Sequence, residues 1–361
     1  MSGSGGAVEG MVGRGYYDRH STAQADAIAH LAGFLETASA RLPRDAGELR
    51  IFDYGCGPGR NSVAAIRIVL EALRRRAPDV PVVVTHNDVL ENDWNGLFAR
   101  VAGADGYLEG FGPVRTEASP GSFFGRVAGD ASIDFALSFA AAHWLAAPIE
   151  LDAPGTLFFR DLPEPARSEM AAVAARDRAR FLHLRASELK PGADFVVDML
   201  ASQPGPDGVS AGQGLYRALW RVAEDMAGAD TWDRALLDPL VFPVYFPTSD
   251  EVLAPLERDP QVVAAFEVVD LVNEALPMPL TDVYRANGDA AAYAAGYAGF
   301  ARAFAEPVLR RALFLPAAGG DAARADALAQ RYFTALEAVF ADDPEAWHFD
   351  HQVLTLVLRR K

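Results

Sequence analysis

The stretch from Arg50 to Asn61, RIFDYGCGPGRN, constrains this chain more than any other. A short apolar run ends in an acid and then breaks into a turn in which Gly55, Gly57 and Gly59 occupy three of five positions. That density suits neither a strand nor a helix interior, and each glycine admits a backbone conformation or a close approach that a side chain would block. An apolar helical pattern follows at once, in Val63, Ile66, Ile68, Val69 and Leu73. The order strand, glycine turn, helix is the nucleotide-binding corner of an α/β fold.

The spacing in the turn separates the possible ligands. Gly55-x-Gly57-x-Gly59 lacks the third glycine where the pyrophosphate-binding G-x-G-x-x-G pattern needs one, which disfavours a dinucleotide. The second strand, PVVVTHND over Pro81 to Asp88, ends in an acid 29 residues beyond Gly59. A dinucleotide fold places its ribose-binding acid about 20 residues on. The longer helix accommodates the difference, and a carboxylate there can accept from both ribose hydroxyls. A strand acid, close-set glycines and a later ribose acid suit S-adenosylmethionine, which has an adenosine end and a charged amino acid end but no pyrophosphate. Cys56, inside the turn, reads as a small filler rather than a nucleophile.

The rest of the chain repeats the alternation of strand and helix. Strands are expected at 49–54, 81–88, 132–139, 194–200, 266–271 and 352–358, and helices at about 60–77, 164–190, 287–313 and 321–341. The segment 91–130 reads as loop-rich, with ENDWNGLF and GSFFGRV as aromatic islands. His143 and Trp144 fall just past the carboxyl end of the 132–139 strand, the edge at which open α/β sheets bind ligands. From about 202 onward helices with aromatic faces (Tyr216, Trp220, Trp232) lead to VFPVYFPTSDEV, too proline-rich for a central strand, and Thr248 and Ser249 with Asp250 and Glu251 read as a helix cap. Tyr293, Tyr297, Phe300 and Phe304 share one helix face and are expected in a core. A strand would put His348 and His351 on opposite faces, so no metal is expected there.

The expected organisation is a flexible stretch at 1–10, a sheet domain of 11–201 with 262–272 and 346–361, and a helical cap of 202–261 and 273–345. Lys and Arg total 33 against 49 Asp and Glu, a formal charge of −16 that repels nucleic acid and anionic lipid. One cysteine excludes an internal disulfide, and no apolar run approaches the ~18 residues of a membrane span. A cytoplasmic protein with no nucleic acid or membrane partner is expected.

Read together, the islands resemble the SABATH carboxyl methyltransferases, which include salicylate, jasmonate and indole acetate methyltransferases and the caffeine-pathway N-methyltransferases. The likeness runs from about Met11 to Arg359. It is carried by Tyr17-x-x-His20-Ser21-x-x-Gln24, Asp53-x-Gly55-Cys56 with Asn61, Asn87-Asp88, Asn92-Asp93-Trp94-Asn95, Gly121 to Arg126, His143-Trp144-Leu145, Arg185-Ala186-Ser187-Glu188 with Pro191-Gly192, Pro243 to Glu251, and Ala305-Glu306-Pro307.

The resemblance implies a Rossmann-like class I methyltransferase sheet under a helical cap. It also implies S-adenosylmethionine as methyl donor, a small carboxylic acid as acceptor and a homodimer. On it, Tyr17, Ser21, Asp53, Gly55, Cys56, Asn61, Asp88, Val89, Ser122, Phe123, Ser138 and Phe139 are cofactor-binding positions, Asp88 at the ribose and Ser122 with Phe123 at adenine. Gln24 and Trp144 match the two residues that grip the substrate carboxylate, and His143 adjoins them. The chain departs from the family in His20 for the usual Asn, in Gly57 for a Ser, and in Ala140 and Ala141 where many relatives carry Tyr and Ser. The two alanines imply a roomier pocket and a bulkier or longer apolar acid than salicylate. A ring nitrogen, phenol or carbon acceptor, or a non-catalytic protein that only holds S-adenosylmethionine, are the other readings the sequence leaves open.

Overall fold

The computed structural model describes residues 22–151 and 155–361, and of the side chains within 22–29 only that of Ile28. Tyr17 and Ser21 lie outside the described residues.

The apolar run before the glycine turn forms β1 (Leu49–Tyr54), with Ile51, Phe52 and Tyr54 buried. It pairs in parallel with β2 (Val82–Asp88) on one side and β4 (Ile133–Phe139) on the other. Both faces of these strands are covered, which is why they read as nearly continuous apolar runs. Beyond β2 lies β3 (Val114–Pro120), and beyond β4 lies β5 (Leu189–Leu200), both parallel. The seven-stranded sheet closes with β6 (Phe266–Ala275) and β7 (Gln352–Arg360), in the order β3-β2-β1-β4-β5-β7-β6. β7 runs antiparallel to both β5 and β6. The order reverses between β1 and β4, so the crevice at their carboxyl ends is the place for a ligand.

Helices cover the two faces. On one, α1 (Thr22–Ser39) and α2 (Arg60–Arg74) bury Leu31, Leu35, Ile66 and Val69 against Ile51, Val84 and Phe135. At the end of that face sits α3 (Trp94–Val101), capped by Asp93, whose side chain accepts from the Gly96 N–H. On the other, α4 (Ala166–Glu188), α6 (Ser249–Arg258) and α7 (Pro260–Ala265) pack Phe181, Val252 and Val262 against Phe195 and Leu356. A separate core joins α5 (Gln213–Gly228), α9 (Ala290–Leu309) and α10 (Ala322–Asp342), with α8 (Pro279–Asn287) at its margin. Tyr293, Tyr297 and Phe300 are buried in it, as their shared face predicts. The cap expected at Thr248 is a full capping box: Thr248 N–H donates to Glu251 Oε2 at 2.8 Å, and Thr248 Oγ1 accepts from the Glu251 N–H.

The expectation for 91–130 is corrected, since the segment holds both α3 and β3. β3 is an edge strand, VRTEASP, half-buried at best along its length, so it lacks the apolar signal of its neighbours. β5 starts at Leu189 rather than after Pro191-Gly192. Leu189 already pairs with Ile133, and the register shifts before Asp194 meets Phe135, leaving the two helix breakers in a bulge. Trp232 is buried in a turn past α5, not on a helix, and donates its indole N–H to the Ala223 carbonyl at 3.2 Å.

Candidate active site

The carboxyl ends of β1, β2 and β4 open into one cleft. Gly55, Gly57 and Gly59 have φ of 81°, 55° and 101°, the left-handed region that only glycine enters freely. At Gly55 space is a second constraint, because a Cβ there would stand 2.3 Å from Ala141 Cβ. The glycine lets the turn after β1 and the turn after β4 touch. The turn is pinned from β2: the Gly55 and Cys56 N–H groups donate to the Asn87 carbonyl at 2.8 and 3.0 Å. Cys56 is buried, which pushes its thiol well above the ordinary cysteine range and leaves it protonated.

Two acids face the turn. Asp88 accepts from the Gly57 N–H at 2.7 Å and from the Val89 N–H at 2.8 Å. Burial nonetheless pushes its carboxyl up to about 6, against the pull of those two amides. Asp53 is buried and hydrogen-bonded by the Ser62 hydroxyl. Behind it a buried polar chain continues through His86 Nδ1, 2.9 Å from Ser62 Oγ, to the Tyr107 hydroxyl, 2.6 Å from His86 Nε2. Ser62, one turn into α2, and Tyr107, in a segment read as loop, carry no local signal of this role.

The side wall is the loop after β3. Gly121 N–H donates to the Asp88 carbonyl, and the Asn87 side chain donates to the Ser119 and Gly121 carbonyls at 2.6 and 2.8 Å. Ser122, Phe123 and Phe124 then line the cleft, together with Val89 and Phe139. The turn after β4 adds Ala140, Ala141, Trp144, Leu145 and Ala146 to the lining, with Ala141 against Gly55. The proline-rich segment holds this turn: Leu145 N–H donates to the Pro243 carbonyl and Tyr245 N–H to the His143 carbonyl, each at 2.9 Å, which makes Trp144 and Val244 a bridge pair. The Trp144 ring leans on Phe242, and Phe242 on Phe304, the last residue of the aromatic stripe.

Of the residues singled out from the sequence, the cleft brings together Asp53, Gly55, Cys56, Asn61, Asp88, Val89, Ser122, Phe123, Phe139 and Trp144. Ser138 and His143 stand behind the wall. The Ser138 hydroxyl donates to the Tyr54 carbonyl at 2.9 Å. His143 is buried, and its Nδ1 accepts from the Leu200 N–H at 3.3 Å. Burial lowers its pKa to about 3, so the imidazole is neutral and stacks at 6.3 Å and 27° on Trp144. Gln24 lies in the first turns of α1, its side chain outside the described residues. Among the described residues no group of three His, Cys, Asp or Glu is placed to hold a metal ion. His348 instead contacts the Glu345 carbonyl and Asp350.

A mixed sheet of this order, its glycine turn at the switch point and an acid closing the neighbouring strand, defines a class I S-adenosylmethionine-dependent methyltransferase. A solved loganic acid methyltransferase, with S-adenosylhomocysteine, shares the fold at a TM-score of 0.80 and 20% identity over 98% of this chain and 99% of its own. More specifically, residues 7–361 match the family described as SAM dependent carboxyl methyltransferase, and the chain belongs to that family. Its relatives include indole-3-acetate O-methyltransferase 1 of Oryza sativa subsp. japonica, 29% identical over 68% of this chain and 69% of the relative. Jasmonate O-methyltransferase of Arabidopsis thaliana is 25% identical over 67% and 71%.

Proposed function

We propose that this carboxyl methyltransferase acts on a small, mainly apolar acid, aromatic or fatty, and releases its methyl ester. The observation that carries the reading is a single cleft in which the glycine turn, Asp88 and the Ser122–Phe123 wall meet Trp144. The chemistry of that lining suits S-adenosylmethionine: a carboxylate for ribose hydroxyls, an aromatic and aliphatic slot of Phe123, Phe139 and Val89 for a base, and Asp53 and Asn61 for the amino acid end. Tyr17 and Ser21 would complete that end, with Gly55 and Cys56 offering backbone and Ser138 supporting the wall from behind.

S-adenosylmethionine supplies the sulfonium-bound methyl group. Trp144, with Gln24, would grip the acceptor carboxylate. An indole N–H and an amide NH₂ are donors that do not compete for the methyl. No general base is required, because a carboxylic acid of pKa near 4 is ionised at neutral pH. His143, neutral and without a place on the cleft's lining, positions the Trp144 ring rather than moving a proton. Holding the reactants in line can supply roughly 7–11 kcal/mol of the barrier, and a cleft closed to water favours a displacement in which both charges vanish.

The named acceptors of the rice and Arabidopsis relatives, indole-3-acetate and jasmonate, support an acid with an apolar body. Ala140 and Ala141 on the cleft's lining support a larger body than salicylate. The resemblance further supports a homodimer working in secondary metabolism, and the acidic, single-cysteine composition supports a cytoplasmic setting. We read the core around α5, α9 and α10 as the acceptor-facing cap domain and the sheet as the donor domain. Incubation with methyl-labelled S-adenosylmethionine and a panel of acids tests the central claim: the labelled product should be cleaved by mild base, and a base-stable product would move the acceptor atom to nitrogen, a phenol oxygen or carbon.

A further inference from the structure

We infer that the buried Arg185–Glu188 pair is the positioning device of the adenine wall, setting the loop Ser122–Ala128 against the glycine turn. The inference rests on the reading of Ser122 and Phe123 as the wall for adenine. Both side chains come from the last turn of α4, both are fully buried, and Arg185 Nε donates to Glu188 Oε2 at 2.8 Å. A buried ion pair is about break-even against an apolar replacement, so core packing alone gives no reason for it. Its remaining hydrogen bonds do.

Arg185 donates to the Phe123 carbonyl at 2.9 Å and to the Gly125 carbonyl at 3.3 Å. Glu188 Oε1 accepts from the Val127 N–H at 2.9 Å and the Ala128 N–H at 3.2 Å. The two buried charges thus serve four backbone groups of one half-buried loop that has no ladder of its own. An apolar pair of the same volume could serve none of them.

The same pair reaches the glycine turn. Glu188 Oε2 also accepts from the Tyr54 hydroxyl at 2.8 Å, and the Arg185 guanidinium lies 4.0 Å from the Tyr54 ring centroid. Tyr54 is the last residue of β1 and precedes Gly55. One guanidinium and one carboxylate therefore fix the distance between the side wall and the turn, the two surfaces between which the adenosine end has to fit. Arg185 and Glu188 touch no ligand in this scheme and act only through the loop.

Calorimetric titration with S-adenosylhomocysteine tests this, because it reports stoichiometry and affinity separately. Glu188→Gln keeps the side-chain volume but sets an amide N–H against donors, and it is expected to weaken binding about tenfold with stoichiometry still near one. A purely structural role would lower the stoichiometry or the melting temperature and leave the affinity of the folded protein as it was; that result overturns the inference. Tyr54→Phe, which removes one hydrogen bond to the same carboxylate, is the milder variant should Glu188→Gln not fold. It is expected to weaken binding two- to fourfold, and wild-type affinity counts against the proposal. Phe123→Ala separates the layers: if it binds S-adenosylhomocysteine normally, the adenine wall itself is misplaced, whereas a weak Phe123→Ala beside a normal Glu188→Gln overturns the positioning role alone.

Discussion

The two ends of the cleft are built on opposite plans. At the glycine-turn end, backbone and side chains are pinned by directed polar contacts: Asn87 holds the turn and the side wall, Asp88 takes two amides, and the Arg185–Glu188 pair holds four loop groups. At the Trp144 end the backbone is hydrogen-bonded too, to Pro243 and from Tyr245, but the side chains of the lining are alanine, leucine and indole, backed by Phe242 and Phe304 through ring contacts. Hydrogen bonds fix geometry to tenths of an ångström, and a buried polar group without its partner is costly. Apolar packing tolerates exchange of side chains of similar volume. The first plan suits a ligand that never changes, and the second suits one that differs from relative to relative.

Gly55→Ala is the most severe way to break this arrangement. It demands φ near 81° from a residue with a Cβ and drives that Cβ into Ala141, where the two ends of the cleft touch. The combined cost is about 2–4 kcal/mol. The expected result is a clear fall in melting temperature together with loss of S-adenosylhomocysteine binding; normal binding would mean that the contact between the turns is not needed. Trp144→Ala should instead divide the ends, losing roughly 100-fold or more in turnover, as when one preorganised donor is removed from a reacting oxygen, with S-adenosylhomocysteine affinity within about twofold of wild type. Equal losses in both measurements would contradict the separation.

The pinned end also carries a pH signature. On the proposed reading Asp88 takes the ribose hydroxyls as a carboxylate, with both oxygens accepting; protonation turns one oxygen into a donor, and burial has raised the carboxyl to about 6. Affinity for S-adenosylhomocysteine should therefore be constant above pH 7 and fall as pH drops through 6, by about tenfold at pH 5. Asp88→Asn should bind weakly and show no such step. His143, held near 3, stays neutral throughout and adds nothing to the profile in that range.

The same contrast explains what was legible in the sequence. The pinned end is written in residue types with no substitute, glycines at positive φ and acids at strand ends, so RIFDYGCGPGRN and Asp88 announced it at short range. Arg185 and Glu188 stood out only as part of a motif, because their partners lie about 60 residues earlier and in Tyr54. β3 was illegible because an edge strand needs only half its surface buried, and the chain Asp53, Ser62, His86, Tyr107 because it assembles across elements that share no local pattern. At the Trp144 end the sequence points to a tryptophan on the cleft but not to the shape around it, since Ala140 and Ala141 speak only through the side chains they lack.

Ala140 offers the finest test of the difference. It lines the cleft beside Trp144, and its N–H donates to the Asp198 carbonyl at 2.9 Å. Its φ of 50° already bears the left-handed strain of a Cβ-bearing residue, and Ala140→Tyr adds a ring together with the further strain of a bulky side chain at that φ. That ring would enter the acceptor space and leave the glycine turn, Asp88 and the side wall as they are. The expected outcome is unchanged S-adenosylhomocysteine binding and a shift of roughly fivefold in relative kcat/KM from long-chain acids toward benzoate, the modest size that apolar pockets give. An unaltered acceptor profile would place the acid's body elsewhere, and a loss of S-adenosylhomocysteine affinity would show that the two ends are less independent than their construction implies.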